Sequence, residues 1–502
     1  EHACTMLENS DAPESNRPVY RRRISGGHHA VWPAFSQAAA HHARLFLADR
    51  DIPWWAIALS IVAAETSTLT IISIPGLAYD SNFTFLQLVM GYVVGRVIIS
   101  FILLPQYFRG DLYTAYQLIE RRFGPHLRTV TAAIFLVTRA AAEGVRVYAV
   151  SIVVSIALGT GEITSIAIIT LLTLIYTFEG GLAAVIWTDV VQTFIYVGGT
   201  LVGLFTILHL IPGGWASAHA IAASLDKFRV FDPTVVTHWP FLNFAKPYTL
   251  WAGIIGGAFF TTASHGTDQL IVQRLLAARN LRQSVTALLS SGVAILFQFA
   301  LFLFVGVMLF AYYQAPSATF GRADRIYPTF IVTRMPPGIA GLLIAAILAA
   351  AMSNLSAALN SLSSSTMMDF YFRWQPGTET AGQTKTDDSR RLRLARFATL
   401  AWALVLFGLA VLALHRVGRV VEVGLQIAML AYGALLGVFL LGVLTKRATE
   451  SGAIAGMIAG LAIELYLWRY SQIAFTWWVP IGTCVTFAIG YSASLLWRRD
   501  EH

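Results

Sequence analysis

From residue 54 to residue 497 the chain is a series of apolar runs about 20 residues long, joined by short polar links. The hydrocarbon core of a bilayer takes about 20 helical residues, so each run is long enough to cross it. Twelve such spans are read, at 54–78, 83–105, 127–158, 162–178, 185–210, 249–270, 283–314, 338–366, 394–415, 420–444, 451–472 and 474–497. A lipid-facing backbone must satisfy its own polar groups, and runs of this length do so as helices. The expectation is an all-α polytopic membrane protein of about 12 transmembrane helices.

Charge agrees with this reading. Charged residues make up 12% of the chain, against about 25% in soluble domains. The net charge of +8 is unevenly spread. With the N-terminus inside, and arginines within a few residues of a span end counted with the adjoining segment, 23 of the 35 Lys and Arg fall in inner segments, nine in outer loops, and three (Arg96, Arg139, Arg146) deep within spans. That bias predicts both termini in the cytoplasm of a multi-pass cell-membrane (plasma or inner) protein, and accounts for the basic charge without a nucleic-acid partner. Cys4 and Cys484 lie far apart in character, one in a polar tail and one in the last span, so no disulfide is expected.

Three regions follow. Residues 1–45 are polar and Arg/His-rich, expected as a disordered cytoplasmic tail. Residues 46–444 form a ten-helix core, and 445–502 two accessory helices with a short cytoplasmic C-terminus. Short helices are expected at 114–124 and 215–228, and a hydrophilic linker at 372–393. Spans 1 and 6 both open with Trp, run apolar for about two turns, and then turn polar. Five spans followed by five more place the two halves in opposite orientation. Interrupted helices at matching places in inverted halves mark a transporter's binding site. The core is therefore read as a five-plus-five inverted repeat with broken helices 1 and 6.

Three stretches carry chemistry. Val62–Thr70 (VAAETSTLT) puts a glutamate and four hydroxyls into an apolar span. The hydroxyls alone fit helix packing or a break whose freed carbonyls bind a cation. Glu65 favours the second reading, since ionisable groups inside spans are costly and functional. In span 8, Ser353 and Ser356 share a face with Asn354 beside them, an oxygen donor set suited to Na+ or to small-residue packing. Asp189 begins span 5, either as an ion ligand or as a helix N-terminal carboxylate.

Together, GGLAAVIWTDVVQ (180–192), TDQLIVQRLLAARN (267–280) and MSNLSAALNSLSSSTMMDFY (352–371) resemble the sodium/solute symporter family over residues 46–470. That family includes sodium/glucose, sodium/proline and sodium/sialic-acid cotransporters. The resemblance implies a leucine-transporter-like core, alternating access and Na+-driven uptake. Its Na+ site falls here on Ala63, Thr66, Ala350, Ser353 and Asn354, the last replacing the family's usual Ser or Thr. A second site would use Asp189, Ser353, Ser356 and Ala357; Ala357 brings no side-chain oxygen, so one Na+ per cycle is favoured. The family's extra helix before the first core span has a polar counterpart here.

Solute contacts are expected from Glu65, Ser67 and Thr70 on span 1, Gln87 on span 2, Ser264 and His265 on span 6, Gln298 on span 7 and Gln426 on span 10. On span 3, Arg139, Glu143 and Arg146 form one stripe. Glu143 and Arg146 are read as neutralising each other, which leaves Arg139 for Glu65 or for a solute carboxylate. Its place is similar to that of the substrate arginine of sialic-acid transporters. Glu65 has three open roles: partner of Arg139, solute ligand, or proton carrier. The expected partners are Na+, a small polar organic solute (a carboxylate favoured over a sugar) and the bilayer; no obligate protein partner is evident. An H+-coupled symporter or a solute-sensing module are the alternatives. No nucleophile–base pair or HExxH-type ligand set suggests an enzyme.

Overall fold

A computed structural model describes residues 52–109, 115–176, 182–231, 244–371, 385–415 and 419–497. The expected tail at 1–45 and most of the 372–393 linker lie outside them.

The first span is two helices, α1 (Trp54–Glu65) and α2 (Thr68–Asp80), meeting at 65°. The break has a local cause. Thr66 turns both its N–H and its hydroxyl back to the Val62 carbonyl, at 2.8 and 2.7 Å, and Ser67 is extended (φ −78°, ψ 169°). Hydroxyl side chains that bond the preceding turn compete with the helical ladder, and here the ladder stops.

Further along come α3 (Leu86–Ile102), α4 (Ala115–Phe123), α5 (Pro125–Leu158), α6 (Glu162–Tyr176), α7 (Leu182–Leu210) and α8 (Gly214–Ser224). A π turn at Ala252–Gly256 leads into α9 (Gly257–Gly266), which breaks at Thr267–Asp268 before α10 (Gln269–Leu276). The series ends with α11 (Leu281–Tyr313), α12 (Ile326–Arg334), α13 (Pro337–Ser365), α14 (Lys385–Leu414), α15 (Val420–Leu444), α16 (Glu450–Tyr470) and α17 (Trp478–Trp497). Among the described residues nine helices are long and apolar enough to cross a membrane, and the bent α1–α2 pair makes a tenth crossing.

Two expectations need adjusting, while span 4 is a helix over the described part of its run, Glu162–Tyr176. Span 9 starts earlier than expected: Lys385–Leu414 is one helix, so the last charged residues of the linker extend it outward rather than join it by a loop. Helix α12, between spans 7 and 8, was not anticipated. Its nine residues are too few for a periodic signal, and tertiary packing holds them, with Tyr327, Phe330 and Ile331 buried.

Without a hydrophobic drive between helices in lipid, close packing must supply the cohesion. Helices α3 and α9 show how. A Cβ on Gly253 would lie 2.6 Å from the Gln87 carbonyl carbon, and one on Gly95 2.6 Å from the Ala258 oxygen. Only glycine lets these backbones touch, and that contact holds α9 and the π turn before it against α3.

Candidate functional site

The two breaks border one cavity of about 200 Å³. Ser67 and Thr70 come from the α1–α2 break, Ser264, His265 and Asp268 from the α9–α10 break, Arg139 and Arg146 from α5, and Asn354 from α13. Tyr92, Phe260 and Phe299 supply aromatic walls. From there the lining runs through Thr138, Phe135 and Tyr116 toward the face of the bundle at which α1 begins, called the near face below. On the opposite side Phe85 packs on Tyr248 and Phe299, with ring centroids 5.3 and 5.6 Å away. Beyond it Tyr248 donates to Glu422 (2.8 Å), Arg419 approaches Asp80 (3.5 Å), and the Val420 N–H reaches Asp324 (3.2 Å).

The break leaves carbonyls open. Ser67 N–H bonds the Glu65 carbonyl (3.0 Å) and Thr70 N–H the Ser67 carbonyl (2.9 Å). Among the described residues no backbone N–H therefore reaches the carbonyl of Ala63 or of Thr66. Inside a membrane such carbonyls need a cation or water. Helix α13 comes to the same cavity as the break, with Asn354 lining it alongside Ser67. Oxygen-only donors of low charge suit a hard, weakly held cation such as Na+.

Glu65 is not held by Arg139. It pairs with Arg96 of α3 and lies 3.4 Å from His265 Nε2. Arg96 is wholly buried, donates to Ser291 Oγ and the Tyr92 carbonyl at 3.2 Å each, and reaches His265 Nε2 at 3.2 Å. His265 Nε2 therefore lies between the Arg96 guanidinium and the Glu65 carboxylate, and its Nδ1 lies 2.9 Å from Ser264 Oγ. Sequence reading had noted Arg96 only as one of three arginines within spans. Its burial within a span was the available signal; which acid it meets depends on how α3 is turned toward α1.

Arg139 has other partners. Its guanidinium lies 3.0 Å from Glu143 and 3.7 Å from Asp268, the residue whose other oxygen caps α10 through the Leu270 N–H (2.9 Å). Arg146 donates to the same Glu143 oxygen at 2.6 Å. The expected neutral pair of Glu143 and Arg146 is thus a triad in which one carboxylate serves two cations. Arg146 is the more open of them, 32% exposed against 10% for Arg139.

The glutamines sit elsewhere than expected. Gln298 donates to Thr66 Oγ1 at 2.5 Å, and Gln87 to the Thr84 and Tyr248 carbonyls at 3.2 Å each. Neither they nor Gln426 border the main cavity. Long amides on neighbouring helices find backbone and hydroxyl partners first. Asp189 accepts from Ser60 Oγ (2.6 Å) and from Arg274 (3.0 Å), so a guanidinium already neutralises it. Ser356 is buried on α13.

The sodium:solute symporter family model matches residues 45–460. The sodium/sialic acid symporter SiaT of Proteus mirabilis is 29% identical over 440 residues, covering 86% of this chain and 85% of its own. NanT of Aliivibrio fischeri, also a sodium/sialic acid symporter, is 27% identical over 463 residues, 91% of this chain and 88% of its own. A solved structure of a Na+-coupled sialic acid symporter, substrate-bound and outward-open, superimposes with a TM-score of 0.76 at 27% identity, over 91% of this chain and 92% of that one. Broken first span, freed carbonyls and the matching extent of these relatives agree: the chain belongs to the sodium:solute symporter family, membrane transporters that couple Na+ movement to solute transport by alternating access.

Proposed function

We propose that the solute is a small carboxylate, held between the N-terminus of α2 and Arg146. One observation carries this reading. Ser67, at the N-cap of α2, makes no side-chain capping bond, so the N–H groups of Thr68 and Leu69, which begin that 13-residue helix, stay open beside the cavity. Open N–H groups and the helix dipole favour an anion there. Ser67 and Arg146 border the same space, and a guanidinium fork matches a carboxylate. Arg139 then orients Arg146 through their shared Glu143. That the relatives named above transport sialic acid, a carboxylate, points the same way.

Na+ binds beside it, at the Ala63 and Thr66 carbonyls, Ala350, Ser353 and Asn354. Asp189 is occupied by Arg274, so a single Na+ accompanies each solute. Ser264, His265 and Thr70 complete the solute's surroundings, and Glu65, neutralised by Arg96, keeps the break in shape. The near face is cytoplasmic, following the charge bias, so the cavity opens inward.

A thermal-shift screen of carboxylates, sugars and amines, with Na+ or choline, tests this. Stabilisation by a carboxylate only when Na+ is present is the expected result. Equal stabilisation in choline sinks the Na+ assignment, and stabilisation by sugars or amines alone sinks the carboxylate.

A further inference from the structure

A second cavity of about 20 Å³ lies behind the first, between α2, α5, α6 and α13. Its polar wall is Ser67, Thr68, Glu143, Arg146 and Asn354, and the rest is aliphatic. Three of those residues, Ser67, Arg146 and Asn354, also border the main cavity, so the two spaces share a partition. Two of the wall's polar atoms have no partner. Glu143, 1% exposed, gives its Oε1 to both arginines while Oε2 accepts nothing, and Thr68 Oγ1, in a residue 4% exposed, makes no bond.

A buried carboxylate oxygen without a donor is strongly unfavourable, and more so in a membrane. The space matches one water-sized group. Its charge selects among such groups. Arg139 and Arg146 are balanced by Glu143 and Asp268. An ammonium would add a third cation beside two guanidinium groups, and a carboxylate would face Glu143. A neutral hydroxyl fits both unpartnered atoms, donating to Glu143 Oε2 and accepting from Thr68 Oγ1.

We infer that this small cavity is a subsite for a hydroxyl on the carbon next to the solute's carboxylate, so that the transporter selects 2-hydroxy carboxylates. The inference rests on the carboxylate reading above. Arg146 borders both spaces and its guanidinium is 2.6 Å from Glu143 Oε1, so a carboxylate held by Arg146 would bring the substituent of its adjacent carbon to the side of the main cavity that adjoins the small one. Transport involves no covalent step; recognition alone is at stake.

Matched pairs test it in the full-length, detergent-solubilised protein with saturating Na+: N-acetylneuraminate against its 2-deoxy form, and lactate against propionate. Concentrations giving half-maximal thermal stabilisation are compared. The hydroxy acid of at least one pair should act at a concentration 10-fold or more below its deoxy counterpart. In Thr68→Val, which leaves the arginine triad intact, that ratio should fall to within threefold, and likewise in Glu143→Gln if it elutes as a folded monodisperse species. Equal potency within each pair overturns the subsite, which then holds only water, while leaving the carboxylate reading standing. Stabilisation by neutral sugars with none by any of the four acids overturns both.

Discussion

Replacing Arg96 with Met tests the buried link that anchors the first break. The thioether roughly fills the stem's volume and removes the guanidinium from a residue with no solvent exposure. Glu65, 12% exposed, would keep only His265 at 3.4 Å. Breaking one side of a buried ion pair costs about 3–5 kcal/mol, because the surviving charge stays desolvated. Glu65 borders a cavity that admits water, which puts the expectation at the low end, about 3 kcal/mol. Adding Glu65→Gln removes the stranded charge, and the double variant should recover about 2 kcal/mol of that loss. Equilibrium unfolding of the four proteins in one detergent gives the cycle. Since Glu65 lies between Ala63 and Thr66, the Na+ half-saturation of uptake should rise in R96M and partly return in the double variant. A loss under about 1 kcal/mol in R96M, or strict additivity of the two changes, would refute the anchoring role.

Other expectations are narrower. Ser353→Ala should raise the Na+ half-saturation about tenfold, the loss of roughly 1.4 kcal/mol of ion binding; unchanged Na+ dependence of uptake removes Ser353 from the site. Gln298→Ala frees the Thr66 hydroxyl and should raise the same constant with little effect on the solute's half-saturation at saturating Na+. Gly253→Ala drives a methyl into the Gln87 carbonyl 2.6 Å away and should destabilise by about 1–3 kcal/mol, read in the same unfolding assay. Outside the spans, burial raises the Asp324 carboxyl above the ordinary aspartate range. The folded state then holds a proton the unfolded state has released, so this contribution to stability is full below the ordinary range and is lost as pH rises through the raised value. Asp324→Asn, which can still accept from the Val420 N–H, should flatten that decline of stability with rising pH, read by equilibrium unfolding across a pH series.

How much of this was legible depended on whether partners were near in sequence. The spans follow from apolar run length, and the first break from the hydroxyls of Thr66 and Ser67, both local signals. So is the α5 stripe: Arg139, Glu143 and Arg146 sit one turn apart, and the structure joins all three. Pairings between helices were another matter. Glu65 meets Arg96 across 31 positions, Thr66 meets Gln298 across 232, and Asp189 meets Arg274 across 85. Nothing in helical periodicity sets the rotation of one span against another, so Arg139 of the readable stripe stood among the three open roles for Glu65 while Arg96, its actual partner, did not. The gap matters for function, because Gln298, expected as a solute ligand, is instead bonded to Thr66, whose carbonyl belongs to the proposed ion site.

The bond between Arg274 and Asp189 has an energetic consequence for the cell. A tethered guanidinium travels with the protein and is never released, so it transfers no charge across the membrane. If, as proposed, a single Na+ accompanies a monovalent carboxylate, the cycle as a whole moves no net charge. Membrane potential, about 2.3 kcal/mol per elementary charge at 100 mV, then does no work on accumulation. Only the Na+ concentration ratio remains, and a tenfold gradient, about 1.4 kcal/mol, sustains at most a tenfold accumulation of the solute. A transporter built this way is slow to be stalled by depolarisation and quick to reverse when intracellular Na+ rises.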